Sequence, residues 1–551
     1  MRALFIIFNI VLYAIILLIP NPVQSQEVPH YAFRFPMGGR LVLDPVIDTD
    51  RVWLLAEGSQ LYVVTENGVA IGKGNFTVSK PAYAIPDKSG RIFISDGYTQ
   101  AALYNENCKL IWSIKFNGKL EMPPLFDSNG MVYLAIGNNI LCYTPGGRLR
   151  AHFSLPAAPY SACITKTAES ETIFFVIRGQ EKTATIISIS LADFSATNWE
   201  IPQLPSHCAI SSKGAVFSID GTLLLFSKTN EQPLVLAKFA SSIIAMDFDG
   251  TNGAVLLKNN TLCFIAEDTT TWSVQTKADP DVKVLLTSER IILYNKKRAL
   301  SFSLAGELYR EINITNSTTN LIPGNSGVVF SGGEDWILYA YQFENFNLGK
   351  ENKTSYVKKF SVNDILASEI IWFTAGYSDT SFLPYLDRAE LALQKLEPLS
   401  QADYAIVIVA AASVDVDKLP DPQKNLSIPL RVRACTILGA DGNPASIPWL
   451  LETVLKEKDE ALVAAALNAI ADIGFDPHAI VLNNLAQNFT VPLASQPALA
   501  LIRCITNLTL AQGIQHNKLE ALSLLTKLQN SKYPVLVRKK AQEAQLMLMR
   551  Q

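Results

Sequence analysis

The chain contains few of the side chains from which metal and catalytic sites are usually built. Only five of its 551 residues are histidines, and none has a second ligand at metal-site spacing: His30, His152, His207, His478 and His516. There is no Cys-x-x-Cys, no adjacent cysteine pair, no G-x-S-x-G and no Walker motif. The sequence therefore predicts no metal site, no cofactor and no catalytic residue.

Cysteine is also scarce, and its distribution gives no disulfide framework. The seven cysteines are an odd number and no two are closely spaced: Cys108, Cys142, Cys163, Cys208, Cys263, Cys435 and Cys504. Five fall in predicted strands or turns of one domain, and two fall in predicted helices. Scattered thiols of this kind usually pack as small apolar side chains, so we predict no disulfide-stabilised core.

The chain has no excess of basic residues. It carries 47 Lys and Arg against 50 Asp and Glu, a net charge of −3, so a nucleic-acid partner is not expected. Hydrophobic residues make up 49% of the chain and charged residues 18%, which is a globular rather than a disordered composition. Because 551 residues exceed one ordinary domain, we expect about two to four domains.

One long apolar run stands at the N-terminus, and no other run is long enough to span a membrane. Arg2 precedes the apolar residues 3–20, and Val23 and Ser25 fit the −3 and −1 positions of a cleavage site before Gln26. Residues 1–25 are therefore predicted to be a signal peptide. The alternative is an uncleaved anchor, since about 18 residues is the lower limit for a membrane span. Either interpretation places the rest of the chain outside the cytoplasm.

Turn residues recur with a period of about 40 residues across the first two thirds of the chain. One turn holds Gly68, Cys108, Gly147 and Gly306, and a second holds glycine or asparagine about 20 residues later. Short strands rich in Val, Ile, Leu, Phe and Tyr separate the turns, which gives four strands per period. This pattern predicts a β-propeller over residues 31–345.

We count eight blades, and the last one is completed by the N-terminus. The periods begin near residues 41, 79, 120, 158, 205, 242, 282 and 319. The last period holds three strands, so we predict that strand 31–37 supplies its fourth and closes the ring. Asp247, Asp249 and Asn252 faintly resemble a calcium loop, but no acidic residue closes the loop. They lie where each blade has a hairpin, and we interpret them as a turn.

The pattern becomes helical after a polar linker at residues 346–360. "RVRACTILGADGNPASIPWLLETVL" reads as a helix, a turn and a second helix, and the next unit repeats it. Gly439 and Gly474 stand in equivalent places, as do Pro444 and Pro477. Alanine on one face allows close helix packing, while Leu and Ile supply buried ridges. Residues 361–551 are therefore predicted to form an α-solenoid.

Both halves resemble known repeat families. In "ALYNENCKLIW", Ala102 and Trp112 match the blade motif A-x-D-x-x-T-G-x-x-x-W of pyrroloquinoline-quinone-type propellers, whereas Tyr104 replaces its Asp and Asn107-Cys108 its Thr-Gly. Trp199 and Trp272 hold the corresponding place in two other blades. The resemblance implies that these three tryptophans dock one blade on the next, as a large flat side chain between twisted sheets would. The helical pairs resemble HEAT repeats.

These features predict a multidomain β + α protein that acts as a non-catalytic interaction scaffold in an extracytoplasmic compartment, the bacterial periplasm. The chain resembles the propeller subunit of the outer-membrane β-barrel assembly machinery. That resemblance implies barrel-assembly components or unfolded client proteins as partners, with the membrane reached only through an uncleaved N-terminal segment. The likeness is incomplete, because that subunit has no solenoid and is usually lipid-anchored, and no cysteine stands at the signal boundary here.

Two other functions stay open at this point. The first is a quinone-dependent dehydrogenase with degenerate motifs, although the adjacent cysteine pair of quinoprotein dehydrogenases is missing. The second is a surface-exposed adhesin or matrix-binding protein. The sequence does not identify which residues would bind a partner.

Overall fold

The computed structural model describes residues 31–342 and 379–550, apart from short gaps at 49, 88, 167–170, 181–182, 192–193, 228–229, 231, 267–268, 280, 413–425, 477–478, 489–493 and 513. The predicted signal segment 1–25 and the linker 346–360 lie outside the described residues. No helix in the described part is long and apolar enough to cross a membrane.

The N-terminal part is an eight-bladed β-propeller, which confirms the predicted fold class. Each blade is a four-stranded antiparallel sheet, and we label its strands A to D in the order of the sheet. The A strands of successive blades contact one another, as β14 (Pro159–Lys166) contacts β18 (His207–Ser211), so the A strands surround the centre of the ring. Apolar side chains from neighbouring blades form the core between the sheets, as Cys163 and Phe217 do between the fourth and fifth blades.

The first four blades follow one another along the chain. Their strands are β2 (Val46–Asp48), β3 (Arg51–Ala56), β4 (Gln60–Thr65) and β5 (Ala70–Asn75); β6 (Tyr83–Pro86), β7 (Ile92–Ser95), β8 (Gln100–Tyr104) and β9 (Leu110–Lys115); β10 (Leu125–Phe126), β11 (Val132–Ile136), β12 (Asn139–Tyr143) and β13 (Leu149–Ser154); and β14, β15 (Glu171–Arg178), β16 (Ala184–Ser190) and β17 (Ala196–Ile201).

The last four blades include the strand that closes the ring. Their strands are β18, β19 (Gly214–Ile219), β20 (Thr222–Phe226) and β21 (Leu234–Lys238); β22 (Ile243–Asp249), β23 (Asn252–Leu257), β24 (Thr261–Ala266) and β25 (Thr269–Gln275); β26 (Lys283–Leu286), β27 (Arg290–Tyr294), β28 (Arg298–Ser303) and β29 (Leu308–Asn313); and β30 (Ile322–Pro323), β31 (Val328–Gly332), β32 (Ile337–Gln342) and β1 (Tyr31–Pro36). Strand β1 pairs with β32, so the N-terminal end supplies the outer strand of the eighth blade.

The C-terminal part is a stack of helices, nine of which lie in the described residues. They are α1 (Asp379–Lys395), α2 (Gln401–Ala411), α3 (Ile428–Asp441), α4 (Ile447–Lys456), α5 (Glu460–Ile473), α6 (Ile480–Asn488), α7 (Ser495–Gln512), α8 (Ile514–Leu528) and α9 (Val535–Arg550).

Local sequence signals explain where the central helices begin and end. The side chains of Ser427 and Asp459 accept hydrogen bonds from backbone N–H groups in the first turns of α3 and α5. Gly442 and Gly474 follow the same helices with positive φ angles of 69° and 64°, a conformation that glycine adopts without strain. The predicted equivalence of Gly439 and Gly474 is wrong, because Gly442 is the residue that ends α3 as Gly474 ends α5. Gly439 lies inside α3, where a Cβ would lie 2.9 Å from the backbone of Ala469, so glycine there allows α3 and α5 to pack closely.

Candidate interaction surfaces

Trp112 lies at a joint between the second and third blades. Its indole Nε1 donates a 2.9 Å hydrogen bond to the carbonyl oxygen of Pro145, in the turn between strands C and D of the third blade. The ring covers Gly147, where a Cβ would lie 2.4 Å from the indole Cγ. Gly147 has a φ of 82°, so turn geometry and lack of space both favour glycine at this position.

The other two tryptophans also contact a neighbouring blade. Trp272 donates a 2.7 Å hydrogen bond to the carbonyl oxygen of Leu304 in the seventh blade and packs over Gly306. Trp199 packs edge-on against Phe226 of the fifth blade, with ring centroids 5.5 Å apart. These positions fit the predicted blade-docking role, which stays a prediction until the side chains are replaced.

The joint between the first two blades has the reverse arrangement of side-chain sizes. Gly72 pairs with Val63 on its neighbouring strand, as Trp112 pairs with Leu103, so glycine stands in the tryptophan position of blade one. A Cβ on Gly72 would lie 2.5 Å from the carbonyl oxygen of Glu106. In the facing turn, Cys108 holds the place of the usual glycine, with a φ of 59°. A Cβ on Gly74, on the same strand, would lie 2.8 Å from the Cβ of Cys108, so this larger turn residue faces glycine on the outer strand.

The solenoid packs on the propeller through a buried ion pair. Arg150, in the outer strand of the third blade, donates hydrogen bonds from Nε and Nη2 to the two carboxylate oxygens of Asp441, at 2.9 and 3.3 Å. Asp441 ends α3 and is fully buried, while Arg150 is 9% exposed. Burial opposes the charge on Arg150, but Asp441 outweighs that effect, so the pKa of the guanidinium is raised.

Further contacts surround this pair on the same end of blades two and three. Arg148 donates to the carbonyl oxygens of Gly439 and Asp472, at 3.3 and 3.1 Å. Asn105 donates a 3.0 Å hydrogen bond to the carbonyl oxygen of Leu510, and the guanidinium of Arg91 lies 5.2 Å from the ring centroid of Phe475. The propeller residues all belong to A–B or C–D turns or adjoin them. We call this end of the ring the docked face.

An acidic pair lies beside the docked face. Asp127 accepts hydrogen bonds from the backbone N–H of Met131 and the hydroxyl of Tyr133, at 2.9 and 3.0 Å. The neighbouring carboxylate of Glu171, from the fourth blade, accepts from the N–H of Ser128 at 3.1 Å. Burial, and then the charge of Glu171, raise the pKa of Asp127 to about 7. The Asp127 carboxyl group therefore changes between its protonated and ionised forms at pH values near neutral.

The opposite end of the ring carries exposed aromatic side chains, and we call it the open face. Antiparallel strands alternate in direction, so the B–C turns and the starts of the A strands lie at the end opposite to the docked turns. Tyr98 and Trp336 lie in B–C turns and Tyr160 lies at the start of an A strand, with exposed fractions of 56%, 50% and 49%. Asp96 accepts from the N–H groups of Tyr98 and Thr99, which fixes the turn.

The three residues that faintly resemble a calcium loop lie at the hairpin between β22 and β23. Asp247 accepts hydrogen bonds from the N–H groups of Phe248 and Leu286, the second in the neighbouring blade, at 2.9 and 2.8 Å. Asp249 and Asn252 face each other at the hairpin between β22 and β23. Within the described ranges, no group of three or more His, Cys, Asp or Glu residues is placed to hold a metal ion. All seven cysteines are free thiols.

Sequence reasoning missed the docked face, because its residues lie far apart in the chain. Arg150 and Asp441 are 291 positions apart and belong to different repeats. One feature of the sequence, a pair of arginines, did distinguish the docked face. Arg148 and Arg150 place two cations at the start of the outer strand of the third blade, where the first blade has Val69 and Ile71.

Comparison with solved structures gives similarity to β-propellers. No family model matches the chain, and no curated protein matches it. BamB from Moraxella catarrhalis matches at 10% identity over 58% of this chain and 99% of that one, with a TM-score of 0.42. The C-terminal WD40 domain of Sif2 matches at 11% identity over 57% and 97%, with a TM-score of 0.43. Saccharomyces cerevisiae Sqt1 matches at 9% identity over 57% and 98%, with a TM-score of 0.43.

Proposed function

We propose that this chain is a non-catalytic extracytoplasmic scaffold that binds other proteins, and that the open face of its propeller is the binding surface. The observation that carries the proposal is the buried pair of Arg150 and Asp441. This pair and its neighbouring contacts hold the solenoid on one end of the ring. The described solenoid residues make these contacts at that end, so we assign the partner to the opposite end.

The side chains of the open face suit protein recognition. Tyr and Trp are enriched in the centres of protein interfaces, where they bury a large area at a small cost in side-chain entropy. Tyr98, Tyr160 and Trp336 project this kind of surface from three different blades. Arg178 lies 5.3 Å from the ring centroid of Tyr160 and adds a cation beside it.

Barrel-assembly components or unfolded barrel proteins are the partners that we propose. This finer proposal is supported by the degenerate blade motif around Trp112 and by the predicted export signal at residues 1–25. The solenoid adds a second surface for a partner, since stacked helix pairs present an extended face. Localisation in the bacterial periplasm belongs to the same proposal.

A crosslinking pull-down from the native cell envelope tests the proposed function. The full chain is compared with the double variant Tyr98→Ala/Trp336→Ala, which we expect to recover at least several-fold less partner. The matched control is Leu308→Ala/Tyr309→Ala, which removes two exposed apolar side chains from the outer strand of blade seven and should recover as much as the wild type.

The identity of the captured proteins tests the finer proposal. Recovery of barrel-assembly components supports a role in outer-membrane assembly. Recovery of other envelope proteins alone contradicts that role but still supports a protein-binding scaffold. Equal recovery by the open-face variant and the wild type would contradict the open face as the binding surface. Degradation of the chain by protease added to intact cells would contradict a periplasmic location and favour surface exposure.

A further inference from the structure

Two of the seven cysteines are neighbours across a blade boundary. Cys163 lies on β14 and Cys208 on β18, the innermost strands of blades four and five. These two strands contact each other, and both cysteines pack in one apolar cluster with Phe174, Trp199 and Phe217. Cys163 lies near enough to Cys208 to raise the pKa of the Cys208 thiol, and both residues are free thiols.

The other propeller thiols have no such neighbour. Cys108, Cys142 and Cys263 each lie in a separate cluster, and none of these clusters contains a second cysteine among the described residues. Burial raises the pKa of Cys108 and that of Cys142 to about 12, so both thiols stay protonated at neutral pH. The blade-four and blade-five pair is thus distinguished by proximity from the single thiols of this ring.

We propose that Cys163 and Cys208 are a redox-active pair that forms a reversible disulfide between blades four and five. The oxidant is a disulfide, carried either by a small molecule or by a thiol–disulfide oxidoreductase. The product joins the inner strands of two blades whose sheets are otherwise held together by packing. The bond would restrict separation of these blades around the central axis of the ring.

Cys208 should react first, because it is the less buried of the two cysteines. Cys208 is half-buried, whereas Cys163 is 8% exposed. The Cys208 thiolate attacks the incoming disulfide, forms a mixed disulfide and releases one thiolate. The Cys163 thiolate then attacks the Cys208 sulfur, closes the internal disulfide and releases the second thiolate. The two protons lost by the cysteines end on the two released thiols, so that one disulfide is reduced as another forms.

The reaction should be slow without a catalyst at neutral pH. Hydrogen bonding with Cys163, and then burial, raise the pKa of Cys208 well above its usual value. Since the thiolate is the reacting species, the rate should increase with pH. Incubation at pH 8.5 with oxidised glutathione is therefore a suitable test condition.

Thiol counting by alkylation and mass spectrometry on the folded full chain tests the proposal. After oxidation, the wild type should lose two of its seven thiols, and the peptides that contain Cys163 and Cys208 should be joined. Cys163→Ala should stop at a glutathione adduct on Cys208, and Cys208→Ser should keep its remaining thiols reduced. The matched control Cys142→Ser should still form the Cys163–Cys208 bond.

A thermal unfolding scan provides a second readout that does not depend on peptide mapping. Oxidised wild type should unfold several degrees above the reduced form, and dithiothreitol should abolish the difference. Cys208→Ser should unfold at the same temperature before and after oxidation. Seven free thiols after oxidation of the wild type, or a disulfide between any other pair, would overturn the proposal.

Discussion

Side-chain size at one position of the outer strand is matched to the turn that it meets on the next blade. Trp112 covers Gly147, whereas Gly72 meets the turn that carries Cys108. The tryptophan of the blade motif is therefore one half of a pair, and the turn residue is the other half. A substitution at either position should disturb packing at the blade boundary rather than a binding surface.

Gly147→Ala should destabilise the propeller by about 2–4 kcal/mol. The new Cβ would lie 2.4 Å from the indole of Trp112, and the φ of 82° adds strain of about 1 kcal/mol for a residue other than glycine. Urea unfolding followed by tryptophan fluorescence measures the loss. Gly137→Ala is the control, because φ is 58° there and nothing lies within 4 Å of the added Cβ. Equal losses in the two variants would disprove the steric match.

The docking role predicted for Trp112 is tested by two replacements. Trp112→Phe should cost about 1 kcal/mol, since it keeps an aromatic ring but loses the hydrogen bond to Pro145. Trp112→Ala should cost about 3 kcal/mol, because the contact with blade three is lost as well. Trp336→Ala, at a half-exposed site, should leave the urea midpoint unchanged. A Trp112→Ala variant as stable as the wild type would contradict the role.

Asp127→Asn should remove a pH dependence of stability. The raised pKa of about 7 means that the native chain keeps a proton that the unfolded chain releases above about pH 4. The free energy of unfolding of the wild type therefore falls as pH rises from about 4 to 7, whereas asparagine cannot titrate. At about 1.4 kcal/mol per pKa unit, the wild type should lose a few kcal/mol relative to the variant.

Urea unfolding at pH 4.5 and pH 7.5 measures this difference. Asp96→Asn is the control, because burial there is outweighed by hydrogen bonds from Thr99 and its neighbours that lower the pKa of Asp96. Its contribution is lost only below the measured window, so Asp96→Asn and the wild type should respond alike. The same pH response from the wild type and Asp127→Asn would show that Asp127 does not titrate as described.

Strands and turns are the elements that the sequence predicted well, for a local reason. A tight hairpin needs a positive φ, and glycine supplies it at Gly68, Gly90, Gly130 and Gly147. The requirement recurs in every blade, so the period is visible along the chain. The docked face leaves no such trace, because Arg150 and Asp441 meet only after both repeats have folded. Exposed turn aromatics such as Trp336 also lack a periodic signal.

Arg150→Met tests how the outer strand of blade three holds α3. The substitution leaves the Asp441 carboxylate buried without its cation, which should cost about 3–5 kcal/mol. Arg150→Met/Asp441→Leu removes both charges and should cost much less than the two single variants together. Hydrogen exchange in the intact chain should become faster at residues 144–148 in the single variant.

A surface ion pair of the solenoid is the matched control for this cycle. Arg433 contacts Asp387 and Glu390, and its side chain is 30% exposed. Arg433→Met should cost at most about 1 kcal/mol and leave exchange at residues 144–148 unchanged. Additive losses for Arg150→Met and Asp441→Leu would contradict a coupled, buried pair.

At the scale of the whole molecule, the described solenoid residues contact one end of the ring, and exposed aromatic side chains lie at the other end. The solenoid contacts the A–B and C–D turns of blades two and three, while Tyr98, Tyr160 and Trp336 are exposed at the far end. Under the proposed function, the solenoid is fixed to the ring and a second protein binds the open face.

Site-specific photo-crosslinking in the native envelope tests this division most directly. A photoreactive phenylalanine analogue is placed at Tyr98 or Trp336 on the open face, and at Asn105 or Thr144 on the docked face. We predict crosslinks to other proteins from the two open-face sites and crosslinks to the solenoid of the same chain from the two docked-face sites. Capture of other proteins at Asn105 or Thr144, with none at Tyr98 or Trp336, would contradict this prediction.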